Sequence, residues 1–258
     1  MGVYNHPGIY IEEISQPGPI QGVTTSTPGF VGLTEKGVDP TGAHPGLFNI
    51  PTMITGWKQF VEIYGGIVWG AYLAPTVYTF FKKGGTVCYV TRADTSTFTA
   101  GTVEIKSFTT INAASPGAWS GKIAIEIANS PASAPAGSTT PAFTLNVIYQ
   151  TALGQDLFFD SYIKQNKIMN SSTDGKTFKY VLESYGGLVI PTLPAKPTAD
   201  QISAALQPMV NRINNASLFI RLALPTSAPA RPDNGVTAMG AGTGQLTQST
   251  FANENTSS

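Results

Sequence analysis

Two histidines, one cysteine and a few glycine-rich runs are where catalytic or ligand chemistry would have to reside in this chain. His6 and His44 each adjoin a proline, Pro7 and Pro45. Neither has a carboxylate or cysteine at ligand spacing, so no metal site is expected of them. Cys88 is the sole cysteine, which excludes an internal disulfide and any multi-cysteine metal site. Its place in Val87-Cys88-Tyr89-Val90 predicts a buried strand thiol. Gly175-Lys176-Thr177 has the ending of a phosphate-binding loop, but the glycine required five residues earlier is Asn170. No buried strand leads into it, and it reads as a helix start. Gly240, Gly242 and Gly244 make no dinucleotide fingerprint, because no helix pattern follows them; they read as linker. Glu12 and Glu13 are adjacent and face opposite sides of a strand, the wrong arrangement for an acid/base pair. They read as edge charges that discourage unwanted pairing. Two loop histidines support no Ser-His-Asp constellation. The expectation is a non-enzyme with no catalytic, metal or cofactor-binding residues.

At 258 residues, 41% of them apolar, the chain can bury one large core or two modest ones. Only 12% are charged, fifteen basic against fifteen acidic. Lys82-Lys83 is the one adjacent basic pair, so no phosphate track for nucleic acid is expected. A surface this poor in charge fits burial against other subunits, although Ser, Thr and Asn would solvate a monomer equally well. No apolar run approaches the ~18 residues of a membrane span, and no membrane insertion is expected. Met1 to His6 lacks the basic and apolar regions of a signal peptide, so synthesis and assembly in the cytoplasm are expected.

The segment His6-Pro7-Gly8-Ile9-Tyr10-Ile11-Glu12-Glu13-Ile14 reads as a strand set ahead of the first domain. Alternation puts Ile9, Ile11 and Glu13 on one face and Tyr10, Glu12 and Ile14 on the other, so its first half is apolar on both. Either it is an ordinary first strand of its own sheet, or it is an arm offered to another molecule. Extended at ~3.3 Å per residue, residues 1 to 20 reach about 60 Å, against a globule ~45 Å across, so length does not limit an arm.

Further along, 20–25 and 29–34 predict two short strands around Pro28, and 36–46 a surface loop. Residues 51–55 predict a strand, with Thr55 capping a helix through Trp57, Phe60, Val61 and Tyr64 that stops at Gly65-Gly66. A second helix starts near Pro75 and ends at Lys82-Lys83, and 86–92 form a strand. Composition shifts to Thr, Ser, Ala and Pro from residue 96. Residues 103–110, 122–128, 143–149 and 156–160 predict antiparallel strands, with 132–141 a hairpin loop. Residues 174–185 have helical spacing through Phe178, Val181, Leu182 and Tyr185, followed by a short strand at 188–190. A helix over 198–214, despite Pro208, and a strand over 218–224 complete this part. From Pro225 on, the composition is that of a disordered tail or an unfinished loop. The predicted class is α+β: an N-terminal extended arm (1–19), an incomplete α/β core layer (20–95), an inserted, mainly antiparallel β-sandwich-like domain with helices (96–224), and a flexible linker or tail (225–258).

Five motifs in order over residues 6 to 123 resemble the sheath proteins of contractile phage tails and contractile injection systems. They are the arm 6–14; Pro19-Ile20-Gln21-Gly22-Val23-Thr24-Thr25-Ser26-Thr27 leading to Phe30-Val31-Gly32-Leu33-Thr34-Glu35-Lys36-Gly37; Thr55-Gly56-Trp57-Lys58-Gln59-Phe60 with Tyr64-Gly65-Gly66; Phe80-Phe81-Lys82-Lys83-Gly84-Gly85 leading to Cys88-Tyr89-Val90-Thr91-Arg92; and Ala114-Ser115-Pro116-Gly117-Ala118-Trp119-Ser120-Gly121-Lys122-Ile123. The resemblance implies a structural subunit that polymerises as stacked hexameric rings around a tail tube and contracts to drive the tube through a cell envelope. It also implies a homo-oligomer of neighbouring sheath subunits, contacts with the tail tube, baseplate and tail terminator proteins, and a place in a virion tail or injection particle. Ile9, Tyr10, Ile11, Glu12, Glu13 and Ile14 would then be an interface strand added to a neighbour's sheet. Family members continue into a C-terminal α/β region that completes the core. This chain ends at Ser258 where that region should start, so a fragment, a partner chain or a shortened protein is expected. The alternatives are a shortened sheath-like terminator or baseplate adaptor, and a glycan-binding β-sandwich surface protein using an exposed aromatic such as Trp119.

Overall fold

The structure is a computed structural model that describes residues 27–68, 70–93, 98–132, 140–150, 157–172 and 177–243. It is a mixed α+β fold with three small sheets. The first contains β1 (Gly29–Gly32), β2 (Thr52–Ile54) and β3 (Cys88–Arg92) in the order β1-β3-β2. β1 runs parallel and β2 antiparallel to β3. A parallel pair requires a crossover, and α1 (Trp57–Tyr64) and α2 (Leu73–Lys82) lie on its path. Alternation turns Cys88, Val90 and Arg92 inward with Ile54, and the Tyr64 hydroxyl donates to the Val90 carbonyl at 3.0 Å.

The N-cap of α1 is Gly56, not Thr55; Gln59 Oε1 instead accepts from the Thr55 amide at 2.8 Å and contacts its hydroxyl at 3.1 Å. Gly65 ends the helix at φ +87°, and a β-carbon there would strike the Glu35 carboxylate. Glycine is therefore required at this position on both counts.

The rest is antiparallel. β4 (Thr102–Ile105), β5 (Thr109–Ala113) and β9 (Ile220–Leu222) make one sheet. β6 (Ile123–Asn129), β7 (Phe143–Gln150), β8 (Lys179–Leu188) and β10 (Gly235–Ala238) make another, ordered β10-β6-β7-β8. α3 (Leu157–Asn166) and α4 (Ala199–Asn214) complete the fold. α4 opens with a capping box between Thr198 and Gln201, and Asn214 exchanges two hydrogen bonds with Leu222 to tie it to β9. One buried apolar cluster runs through all of this, from Leu47 to Met239.

Five further expectations are corrected. Residues 103–110, expected as one strand, turn at 106–108, with Ser107 at φ +58°, and divide between the paired strands β4 and β5. Of residues 156–160, expected as a strand, 157–160 open α3, in which Phe158, Phe159, Tyr162 and Ile163 are buried together. That i, i+1, i+4, i+5 set is a helix face, and five residues were too short a window to show it. Residues 174–185, expected as a helix, contribute β8 from Lys179 onward. Two irregularities in its pairing with β7 set two β8 residues against one at Leu182 and three against two at Gly186-Gly187. They bring Leu182, Tyr185 and Leu188 inward at intervals of three, which imitates a helical period. The expected surface loop 36–46 is buried from Lys36 to Asp39. Finally, the expected tail supplies β10 on the edge of β6. The glycines beyond it are close-packing positions: a β-carbon on Gly101 would overlap the Gly240 carbonyl, and one on Gly242 would meet Thr99, Gly117 and Gly101 backbone atoms.

Candidate functional site

Among the described residues, the first sheet is covered on one face. Its inner face meets α1 and α2, whereas its outer face presents Val31 (73% exposed), Met53 (51%) and Tyr89 (43%). Met53 and Gly29 are both register partners of Tyr89 and Val31 follows Gly29 by two, so the three apolar side chains share that face. Among the described residues, neither β1 nor β2 has a further neighbour, and both outer edges are open. Tyr72, 82% exposed, stands at the start of α2 beside an open apolar groove it forms with Phe30, Pro75 and Phe80.

The opposite side of this layer meets the rest of the chain through buried charge. Arg92, at the inward end of β3, donates through Nη1 to Gly46 O at 3.1 Å and through Nη2 to Pro116 O at 3.1 Å and Thr34 O at 3.5 Å. Its guanidinium lies over Phe48 at 4.4 Å and Phe98 at 5.3 Å. Lys36 is fully buried, its amide bonded to Tyr64 O at the end of α1. Its ammonium sits 4.5 Å from the Phe158 ring centre, 4.7 Å from Phe219 and 5.7 Å from Trp119. Nζ has no hydrogen-bond partner among the described residues. Burial lowers its pKa to about 8, against the raising influence of Glu35, Glu183 and Glu62.

Glu183 on β8 accepts from Ser217 Oγ at 2.6 Å, the Leu218 amide at 2.7 Å and Tyr185 OH at 3.0 Å. Burial nonetheless raises its carboxyl above the ordinary value. Arg221 donates to the carbonyls of Ser217, Ile220 and Asp39. Lys179 and Glu126 pair across the four-stranded sheet. These groups bind backbone and one another, and their geometry serves to join segments.

The candidate interface strand Ile9, Tyr10, Ile11, Glu12, Glu13 and Ile14 lies outside the described residues, as does His6. His44 has a carboxylate after all: Asp39 Oδ2 is 3.1 Å from its Nδ1, with Asp39 also accepting from the Thr41 amide and hydroxyl and the His44 amide. This is a closed turn, which a five-residue spacing with intervening Pro40 and Gly42 does not announce. Cys88 is buried. Trp119 is 3% exposed and packs beneath its turn against Phe219. Among the described residues no three of His, Cys, Asp and Glu converge as a metal site, and no helix is long and apolar enough to cross a membrane. Sequence reasoning missed Lys36, which carries no local signal. Arg92 was within reach, since the alternation Cys88, Val90, Arg92 points it inward.

No model of a known protein family matches the chain, and no curated protein matches it.

Proposed function

We propose that the chain is a structural subunit of a contractile tail sheath, polymerising as hexameric rings around a tail tube whose passage through a cell envelope its contraction drives. The observation that carries this reading is the first sheet: three mixed strands that, among the described residues, are covered on one face and open at both edges, with Val31, Met53 and Tyr89 exposed on the other face. A layer of this kind gains from strands and side chains supplied by other molecules. The five ordered sequence motifs, which resemble those of sheath proteins, support this reading. In this reading the finer architecture is an arm, a half-completed α/β layer and an outer, mainly antiparallel β-sandwich-like insertion. The partners are neighbouring copies, the tail tube, and the baseplate and terminator proteins, in a virion tail or injection particle. Residues 9–14 add a strand to a neighbour's sheet, with main-chain bonds supplying affinity and side-chain pockets the register. The burial of Trp119 removes the aromatic that a glycan-binding reading would have used.

Negative-stain microscopy of the purified protein tests the proposal. Rings or long cylinders are expected; uniform monomers at high concentration would sink it.

A further inference from the structure

Six elements converge on the Lys36 ammonium. The loop after β1 supplies the lysine and Glu35, and α1 supplies Glu62 together with the carbonyls that hold the loop, Tyr64 O to the Lys36 amide at 3.3 Å and Ile63 O to the Val38 amide at 2.9 Å. α3 brings Phe158 and Tyr162, the turn 118–122 brings Trp119, β8 brings Glu183 and Tyr185, and the approach to β9 brings Phe219, with Arg221 beyond it. The place is also tight, since a β-carbon on Gly66 would press on Phe158. This is the seam where the helix-covered sheet meets the remainder of the chain.

The nature of the contact is unusual for such a position. A buried ammonium is ordinarily compensated by a carboxylate within bonding distance. Here Nζ makes no hydrogen bond or ion pair among the described residues, and three ring faces stand where an acceptor would be. The carboxylates act only from farther off. Glu183 already accepts three hydrogen bonds, from Ser217, Leu218 and Tyr185, and Glu35 is engaged with the Gly66 amide at 3.1 Å. Ring quadrupoles return part of the lost hydration but not all of it. An apolar side chain of the same length would fill this space without the cost of a confined charge.

We propose that Lys36 is a release element: an incompletely compensated cation that makes the seam between the helix-covered sheet and the outer segment the part of the subunit that opens most easily. Opening returns the ammonium to water while the two sides stay folded. Closing returns it to the rings. The device concerns the folded subunit and holds whether or not that subunit polymerises.

The titration behaviour gives it a sign. Free lysine titrates near 10.5 and Lys36 near 8, so between those values the open or unfolded chain holds more protons than the closed one. Stability of the closed seam therefore rises with pH across this window, and the full penalty is present below it. Tyr162 and Tyr185 pull the other way only above the ordinary phenol range, because both are raised. Cys88 is raised as well and opposes the trend from about pH 9. The variant Lys36→Met removes the charge and keeps all three of those groups, so the difference between the two proteins isolates the lysine.

The experiment is hydrogen exchange and urea unfolding on the full chain, wild type beside Lys36→Met. In the wild type at pH 7, the Lys36 and Val38 amides should exchange at least tenfold faster, after correction for intrinsic rates, than the Val147 and Ile148 amides of β7. The methionine should slow the two seam amides by on the order of a hundredfold and raise the urea midpoint. That advantage should shrink between pH 8 and pH 10. Seam amides as protected as those of β7, an advantage that does not change with pH, or a variant that unfolds earlier or fails to fold would each overturn the proposal.

Discussion

At the scale of single residues, two cations are buried in one seam by different means. Arg92 has a planar fork with several donors, and its carbonyl partners on three separate segments lie where that fork reaches. Lys36 has a point charge and rings. It follows that Arg92→Lys should fail to substitute, since one ammonium cannot span the Gly46 and Pro116 carbonyls. The expected loss is about 2–4 kcal/mol from acceptors left dry and packing lost over Phe48, read as a lower urea midpoint with unchanged slope. Asp39 makes a separate prediction in acid. Burial opposes its ionisation, but hydrogen bonds from Thr41 and His44 outweigh it and hold the carboxyl below its usual value. A carboxyl so depressed contributes stability that is present above the unfolded value near 3.8 and disappears as pH falls through the folded one. Asp39→Asn should thus be less stable than wild type at pH 7, and the gap should close as pH falls below 3.8, in thermal melts taken across that range.

At the scale of elements, legibility followed from how local the determinant was. α4 could be read because Thr198, Gln201 and the apolar positions Ile202, Leu206, Val210 and Ile213 all lie within one helix and agree. β6 and β7 could be read because their alternation is regular. β8 could not, since its bulges are set by pairing with β7 and convert a period of two into one of three. The segment after Pro225 misled for another reason. Glycine and serine have the composition of slack chain, whereas Ser120 Oγ donates to Gly240 O at 3.1 Å and accepts from the Gly242 amide at 2.9 Å, which draws two distant backbones together. Such contacts leave no trace in local spacing. They do make a prediction. Gly242→Val forces a side chain against three backbone atoms, and overpacking of that kind costs roughly 1–3 kcal/mol. The cost should fall on β10 first, so limited proteolysis should cut between residues 225 and 243 in the variant while the β6–β7 amides keep their protection. Uniform loss of protection would mean that β10 is integral to the sheet and not a fastened edge.

At the scale of the molecule, the two parts marked out by composition share one buried cluster, and Lys36, Arg92 and Arg221 bridge them. A chain cut to residues 96–224 would expose Phe158, Phe219 and Trp119 where Lys36 lay and would lose Met239 with β10. A chain of residues 96–243 should accordingly be the more stable of the two. The arm presents the opposite case. In the proposed reading residues 1 to 16 serve a neighbouring subunit, so their deletion should leave the body nearly as stable while abolishing polymerisation. Were residues 9–14 an internal strand, the same cut would remove several buried apolar side chains at about 1.5–3 kcal/mol each, against a total stability of ~5–15 kcal/mol, and the protein would largely unfold. Ile11→Pro separates the two outcomes without shortening the chain, because it deletes one ladder donor and fixes the backbone at the centre of the strand. Sedimentation should show assembly lost, and the melting temperature of the monomer should move by no more than a few degrees. An Ile11→Pro protein that melts early places the strand inside its own subunit; one that still builds cylinders shows that the subunits are joined elsewhere, with the bare face of Val31, Met53 and Tyr89 the next surface to mutate.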